Sequence, residues 1–288
     1  MTPGQPAGLV EAERPNARGA EPIAHLAASG VVRRFEREGG GEIQALGPVD
    51  LALRPGEFFS IIGPSGCGKS SLLDILAGLA APSAGTVVFE GEPVRAGAAP
   101  EGVGMVFQED ASFPWLTVAD NVAFGLRRHG ESAAEIEARV TRALLLMGLA
   151  EFSGAYPAQL SGGMRQRMCI ARTLVTRPRL ILLDEPFGAL DAQTRLIMGE
   201  QLLELWRETG ATVLLVTHAL DEAALLSDRI GIMSARPGRI LETISTGWPR
   251  ERDSTVITTS QFGEITAQLW TTLRAESLKA LGMEGRSC

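Results

Sequence analysis

Lysine is nearly absent from this sequence: all but Lys69 and Lys279 of its 27 basic residues are arginine. A lysine that remains therefore calls for a physical reason. Cysteine is scarce too. Cys67, Cys169 and Cys288 are odd in number and none is in a CxxC pair, which argues against a disulfide framework or thiolate zinc site and for reduced thiols. No apolar run approaches the ~18 to 20 residues that span a bilayer, and the N-terminus lacks the basic-then-apolar pattern of a signal peptide. A cytoplasmic protein is expected. Positive charge is not in excess: 34 acidic residues against 27 basic give a net charge of −7, which argues against a nucleic-acid binder, whose affinity rests on phosphate neutralisation. There is no long charge block and no internal repeat.

What is present reads as an ordinary globular chain. Its 288 residues are 45% hydrophobic, enough for one large domain or two modest ones at roughly 150 residues each. Residues 1–22 are rich in Pro, Gly, Ala and Glu without periodicity, the composition of a disordered leader. The glycine run between Arg37 and Gly41 marks a hairpin turn or loop. EFFSII (Glu57 to Ile62) is a short apolar strand, followed by a Gly-rich loop and a helix ending near Gly78. Strands are expected around Val88 and Val106. From Val118 to about Gly148 the pattern is helical, with Ser132 and Glu135 spaced as a capping box and Ile136, Val140, Ala143, Leu144 and Met147 on one face. The continuous apolar runs around Leu182 and Leu215 suit parallel strands buried on both faces, with helices over about Ala192 to Thr209 and Leu220 to Leu226. Alternation of this kind predicts an α/β fold with a mainly parallel sheet. Near the C-terminus, Phe262, Ile265, Leu269 and Leu273, then Leu278 and Leu281, recur at helical spacing. This is expected to be an amphipathic helix packed on the rest of the chain or on a second copy.

GPSGCGKSS (Gly63 to Ser71) matches GxxxxGK followed by Ser and lies between the predicted strand and helix. The loop from Gly63 and Pro64 through Ser65, Gly66, Cys67 and Gly68 can wrap phosphate oxygens with its backbone N–H groups, Pro64 having none to give; Lys69 reaches the terminal phosphates, Ser70 can ligate Mg²⁺, and Ser71 at the helix start is a further cofactor-binding candidate. One of the two lysines thus falls where a compact ammonium suits the chemistry better than a planar guanidinium. LILLDE (Leu180 to Glu185) is an apolar strand ending in two carboxylates. Asp184 can hold the hydration shell of Mg²⁺, and Glu185 can polarise an attacking water. LSGGMRQ (Leu160 to Gln166) opens a helix, so Ser161, Gly162 and Gly163 offer a second anion site. His25 and His129 have no motif around them and are expected at the surface.

Taken in order, GPSGCGKSS, Gln108, LSGGMRQR, LILLDEP, FGALD (Phe187 to Asp191) and His218 resemble the motif set of ABC-transporter ATPase subunits, over about residues 23 to 250. The resemblance implies a P-loop NTPase cassette, with an antiparallel β subdomain and a helical insertion near 111–169, and a helical tail over 251–288. It implies an ATPase using ATP and Mg²⁺. Phe35 matches the aromatic that stacks on adenine. Gln108 matches the glutamine that touches Mg²⁺ and the attacking water, His218 the histidine that contacts the γ-phosphate, and Asp191 the aspartate that communicates across a dimer. Met164 and Ala219 depart from the common Gln and Asp of the family pattern without removing a catalytic residue. One P-loop and one LSGG imply a homodimer that closes each nucleotide between two copies.

Pro114-Trp115, PFGALDAQTR, LWRETGATVLLVTH and MSARPGRI are similar to the nitrate, sulfonate and taurine importer branch. That implies permease contacts near Gln108 to Leu116, an indirect link to a solute-binding protein outside the membrane, and residence at the cytoplasmic face. Three other readings compete. Family members acting in DNA repair or translation carry coiled coils, zinc hooks or tandem cassettes, and none is visible here. A small-molecule kinase has no use for LSGG and the histidine switch. An ATP-sensing scaffold would have lost a catalytic residue.

Overall fold

The structure, a computed structural model, describes residues 24–281 except 38, 109–110 and 129–130. The expected leader over 1–22, His129 and Cys288 lie outside the described residues.

Two sheets organise the chain. β1 (Leu26–Glu36) and β2 (Glu42–Leu53) form a hairpin, turned at Gly39–Gly41, where all three glycines have positive φ. β3 (Phe58–Ile62) begins the second sheet and leads into α1 (Lys69–Leu76). β4 (Ala84–Phe89) and β5 (Glu92–Pro93) then return to the first sheet, whose antiparallel order is β2-β1-β4-β5. β6 (Val103–Val106) joins the second sheet at one edge. Three helices follow: α2 (Val118–Ala123), α3 (Ala133–Leu146) and α4 (Gly162–Leu174). The remaining strands are β7 (Leu180–Asp184), β8 (Thr212–Thr217), β9 (Arg229–Met233) and β10 (Ile240–Ser245), with α5 (Ala192–Thr209), α6 (Leu220–Leu226) and α7 (Ser260–Ala280) among and after them. The second sheet runs β10-β9-β3-β8-β7-β6, parallel from β9 to β6 and antiparallel only at β10.

Because side chains alternate along a strand, the buried strands of this sheet feed two cores. Phe58, Ile62, Ile181, Leu183, Val213 and Leu215 face the core that the later helices cover. Phe59, Ile61, Leu180, Leu182, Leu214 and Val216 face the other core, with α1 and the antiparallel sheet. Covering both faces is the condition that makes these strands apolar on both sides.

The helical pattern from Val118 divides in two: α2 ends at Ala123, and α3 starts after Ser132, whose hydroxyl and Glu135 form the expected capping box. Val140 and Leu144 of α3 and Met147 at its C-terminal cap are buried, with Ile136 and Ala143 packed beside them. The tail packs on its own chain. Phe262, Ile265 and Leu269 enter the helix-covered core, Trp248 Nε1 donates to the Ala224 carbonyl at 2.7 Å, and buried Arg252 pairs with Asp228 at 2.8 Å. Leu281, grouped with that apolar face by its spacing, is exposed instead, one residue past the helix end.

His25 also departs from its expected place. It is not a surface residue: its ring is nearly enclosed, bonded to Thr212 Oγ1 at 2.5 Å and Glu90 Oε1 at 2.9 Å, and packed on Phe89. Lys279 finds a partner in Glu276 at 2.7 Å. Among the described residues no helix is long and apolar enough to cross a membrane.

Candidate functional site

The parallel strands end on one side of the sheet, and the loops that leave those ends build the site, as expected for an open α/β sheet. From Ile62 the chain turns through residues 63–68 into α1. Gly68 has φ 104°, and a Cβ there would sit 3.1 Å from the Ala45 carbonyl oxygen; only glycine meets both conditions without displacement. Lys69, the first residue of α1, is 6% exposed, and its ammonium donates to the carbonyls of Gly63 at 2.8 Å and Pro64 at 3.0 Å. Cys67 is buried behind the loop, where burial pushes its thiol above the usual range.

In front of the loop lies a cavity of about 480 Å³. Phe35, Ile43 and Ala45 line it from the antiparallel sheet; Ser65, Gly66, Gly68, Lys69, Ser70 and Ser71 line it from the loop and α1; Gln108, Glu185 and Arg236 complete it. The Phe35 ring is 44% exposed and has the Arg33 guanidinium over one face at 4.9 Å. Glu185 follows β7 in a left-handed conformation, φ 46°, which a non-glycine residue adopts only when its surroundings impose it. Its backbone N–H donates to the Val216 carbonyl at 2.8 Å. Two side chains converge on its Oε2: Gln108 Nε2 at 3.4 Å and His218 Nδ1 at 3.1 Å.

Asp184, one residue earlier, is buried. Burial raises its carboxyl above the usual range, and the hydrogen bond from Ser70 opposes that shift. Its Oδ1 has no hydrogen-bond partner. An orphaned carboxylate oxygen beside a serine hydroxyl and Lys69 fits a hard cation or its hydration shell.

Ser161, Gly162, Gly163 and Asp191 do not line this cavity. Ser161 caps α4 by accepting from the Met164 N–H at 3.3 Å, and a Cβ on Gly163 would meet Leu190 at 2.6 Å. Asp191 caps α5, accepting from Gln193 and Thr194.

Arg236 is a lining residue that sequence reasoning missed. It sits in the turn between β9 and β10, and its Nε and Nη2 donate to the Gly66 carbonyl at 3.3 and 3.0 Å. The signal available was an arginine in MSARPGRI, between two strands; its proximity to the loop exists only in three dimensions.

A phosphate loop between a parallel strand and a helix, with a carboxylate pair at the end of a nearby strand, defines a P-loop ATPase. The family model described as "ABC transporter" matches residues 46–188. An uncharacterised ABC transporter ATP-binding protein of Methanocaldococcus jannaschii is 45% identical over 242 residues, 84% of this chain and 89% of that protein. A taurine import ATP-binding protein of Jannaschia sp. is 46% identical over 215 residues, covering 75% and 80%. A dimeric ABC transporter cassette superimposes with a TM-score of 0.70 at 33% identity, covering 76% of this chain and 98% of that one. A dimeric cassette in a post-hydrolysis state with ADP and phosphate gives 0.69 at 32% identity, with the same coverage. The chain belongs to the ABC transporter ATP-binding family. It is an ATP-hydrolysing transport subunit.

Proposed function

We propose that this chain energises import of taurine or a related sulfonate, or of nitrate, through a separate permease. The ATPase part of the reading rests on one observation, the convergence of Gln108 and His218 on the Glu185 carboxylate at the edge of the phosphate-loop cavity. The solute rests on the taurine import relatives, which include further proteins at 46% and 45% identity.

In this mechanism adenine lies on Phe35 and the phosphates enter the loop. Lys69 gives up its two backbone carbonyls for oxygens of the terminal phosphates, so a charge already desolvated and oriented meets the developing negative charge. Glu185 orients a water for attack on the γ-phosphorus, with Gln108 and His218 fixing the carboxylate. Ser70, Gln108 and Asp184 would hold Mg²⁺, which neutralises the phosphate oxygens when bound. Ser161, Gly162 and Gly163 come from a second copy, and Asp191 carries the state of one site to the other.

Permease contact belongs to the segment from Gln108 to Leu116. Trp115 there is 71% exposed, and Phe113 packs between it and Phe124, with ring centroids at 5.7 and 4.5 Å. An aromatic surface of this kind supports a docking role, and it would place the protein peripherally on the cytoplasmic face of the membrane. Residues 23–250 act as the cassette and 251–288 as its tail.

Glu185→Gln is expected to lower ATP turnover by ~10²-fold or more while ATP binding persists; turnover equal to the parent would refute the catalytic role. In membranes with the permease, taurine, other sulfonates and nitrate should be compared for stimulation of ATPase activity.

A further inference from the structure

Glu222, on α6, belongs to none of the motifs. It is 8% exposed and borders a second cavity of about 590 Å³, between α5, α6 and the tail, lined also by Arg195, His218, Ile257 and Phe262. Its Oε2 accepts from the Thr217 hydroxyl. The same hydroxyl oxygen accepts the Ala219 N–H at 3.0 Å. Thr217 and Ala219 flank His218, so one hydroxyl joins the Glu222 carboxyl to the turn that presents the histidine, and His218 in turn meets Glu185.

We propose that Glu222 is a positioning residue for His218, acting through Thr217 to hold the Ala219 turn in the orientation that brings the imidazole to Glu185. This inference rests on the proposed role of His218 in the ATPase site. A hydroxyl that donates to a carboxylate is fixed in direction, which leaves its lone pair for the Ala219 N–H; ionised Glu222 is the stronger acceptor and holds the turn tightest.

The geometry also makes the device sensitive to pH. Burial pushes the Glu222 carboxyl up to about 7, against the Thr217 hydrogen bond and the charge of Arg195, with Glu185 adding to the rise. The groups facing it are Thr217 at the end of β8 and His218 after it, Arg195 on α5 and Glu185 after β7; Asp221 is its neighbour on α6. From the tail only Ile257 and Phe262 line the cavity. Arg195 is itself tied to the Leu190 carbonyl at 3.1 Å. Oε1 of Glu222 has no hydrogen-bond partner, and the adjacent cavity gives it a route for proton exchange.

The test is the pH profile of kcat for the full-length chain, with ATP affinity measured alongside. The parent is expected to gain about three- to tenfold in kcat across a limb near pH 7. Glu222→Gln, which still accepts from Thr217 but does not ionise, should stay at the low-pH level throughout. Thr217→Val should do the same, both with ATP Kd within about twofold of the parent. A Glu222→Gln profile that keeps the parent limb, or Thr217→Val with parent kcat, overturns the proposal. His218→Ala separates the two levels: if it turns over like the parent, the role of His218 itself fails. If it is inactive while Glu222→Gln keeps the limb, only the Glu222 inference fails.

Discussion

Gly66 directs its carbonyl at Arg236, which donates to it twice and lines the phosphate-loop cavity. A guanidinium at the mouth of a polyanion site adds charge as well as bracing the loop. Arg236→Ala should raise the Kd for ATP about five- to tenfold, a charged hydrogen bond discounted for its exposure. Titration with a fluorescent ATP analogue measures this, and an unchanged Kd would reduce Arg236 to a loop brace. Glu222 bears on stability as well as on His218. Its folded-state pKa of about 7 lies above the ordinary value of 4.5, so the unfolded chain releases this proton first as pH rises. The group's contribution is fully present below 4.5 and is lost through 7, a difference on the order of 3 kcal/mol. Denaturant unfolding should show Glu222→Gln gaining on the parent between pH 5 and 8, and a constant gap would contradict a titrating Glu222. Residues such as Lys69, Ser70, Asp184 and Glu185 were legible in the sequence because their chemistry demands fixed spacing along the chain. Arg236, Glu222 and His25 were not, because each acts on a residue brought near only by the fold.

The helices α5 and α6 match their sequence expectation residue for residue, α5 being bounded by the Asp191 cap and Gly210. The antiparallel sheet was harder to read from the residues: its strands are interrupted by register shifts, and only the glycine turn announced the hairpin. Neither pattern exposes how α4 ties the Ser161 end to the segment before α2. It begins at the Ser161 cap, and farther along the same helix Gln166 donates to the Phe107 carbonyl at 3.3 Å and Arg172 to the Ala111 carbonyl at 2.8 Å. Arg172 also lies 4.9 Å from the Phe113 ring centroid. The segment that carries Trp115 is therefore fastened to the helix that carries LSGG. Arg172→Ala should accelerate amide hydrogen exchange at Phe113 and Leu116 by about tenfold, the loss of a hydrogen bond and a cation–π contact, and leave α1 unchanged. Equal exchange in the two proteins would show that α4 does not hold that segment.

At the scale of the whole molecule, the separation of the motifs supports the proposed pairing of two copies around each nucleotide. The P-loop, Gln108 and Glu185 share a cavity, while Ser161, Gly162 and Gly163 stand apart from it. One related cassette is dimeric in two solved structures. If each site takes its phosphate loop from one copy and its LSGG from the other, two different defects can complement each other. Lys69→Ala ruins the loop and Ser161→Arg ruins the signature, so each homodimer lacks any intact site. A mixed dimer has one intact site, made from the loop of the Ser161→Arg chain and the signature of the Lys69→Ala chain. Random pairing of equal amounts makes half the dimers mixed, each with one site in two, so ATPase activity should recover to roughly a quarter of the parent if the sites act independently. The measurement is steady-state ATP turnover of the two variants alone and after mixing. A mixture no more active than its components would refute a site shared in this way.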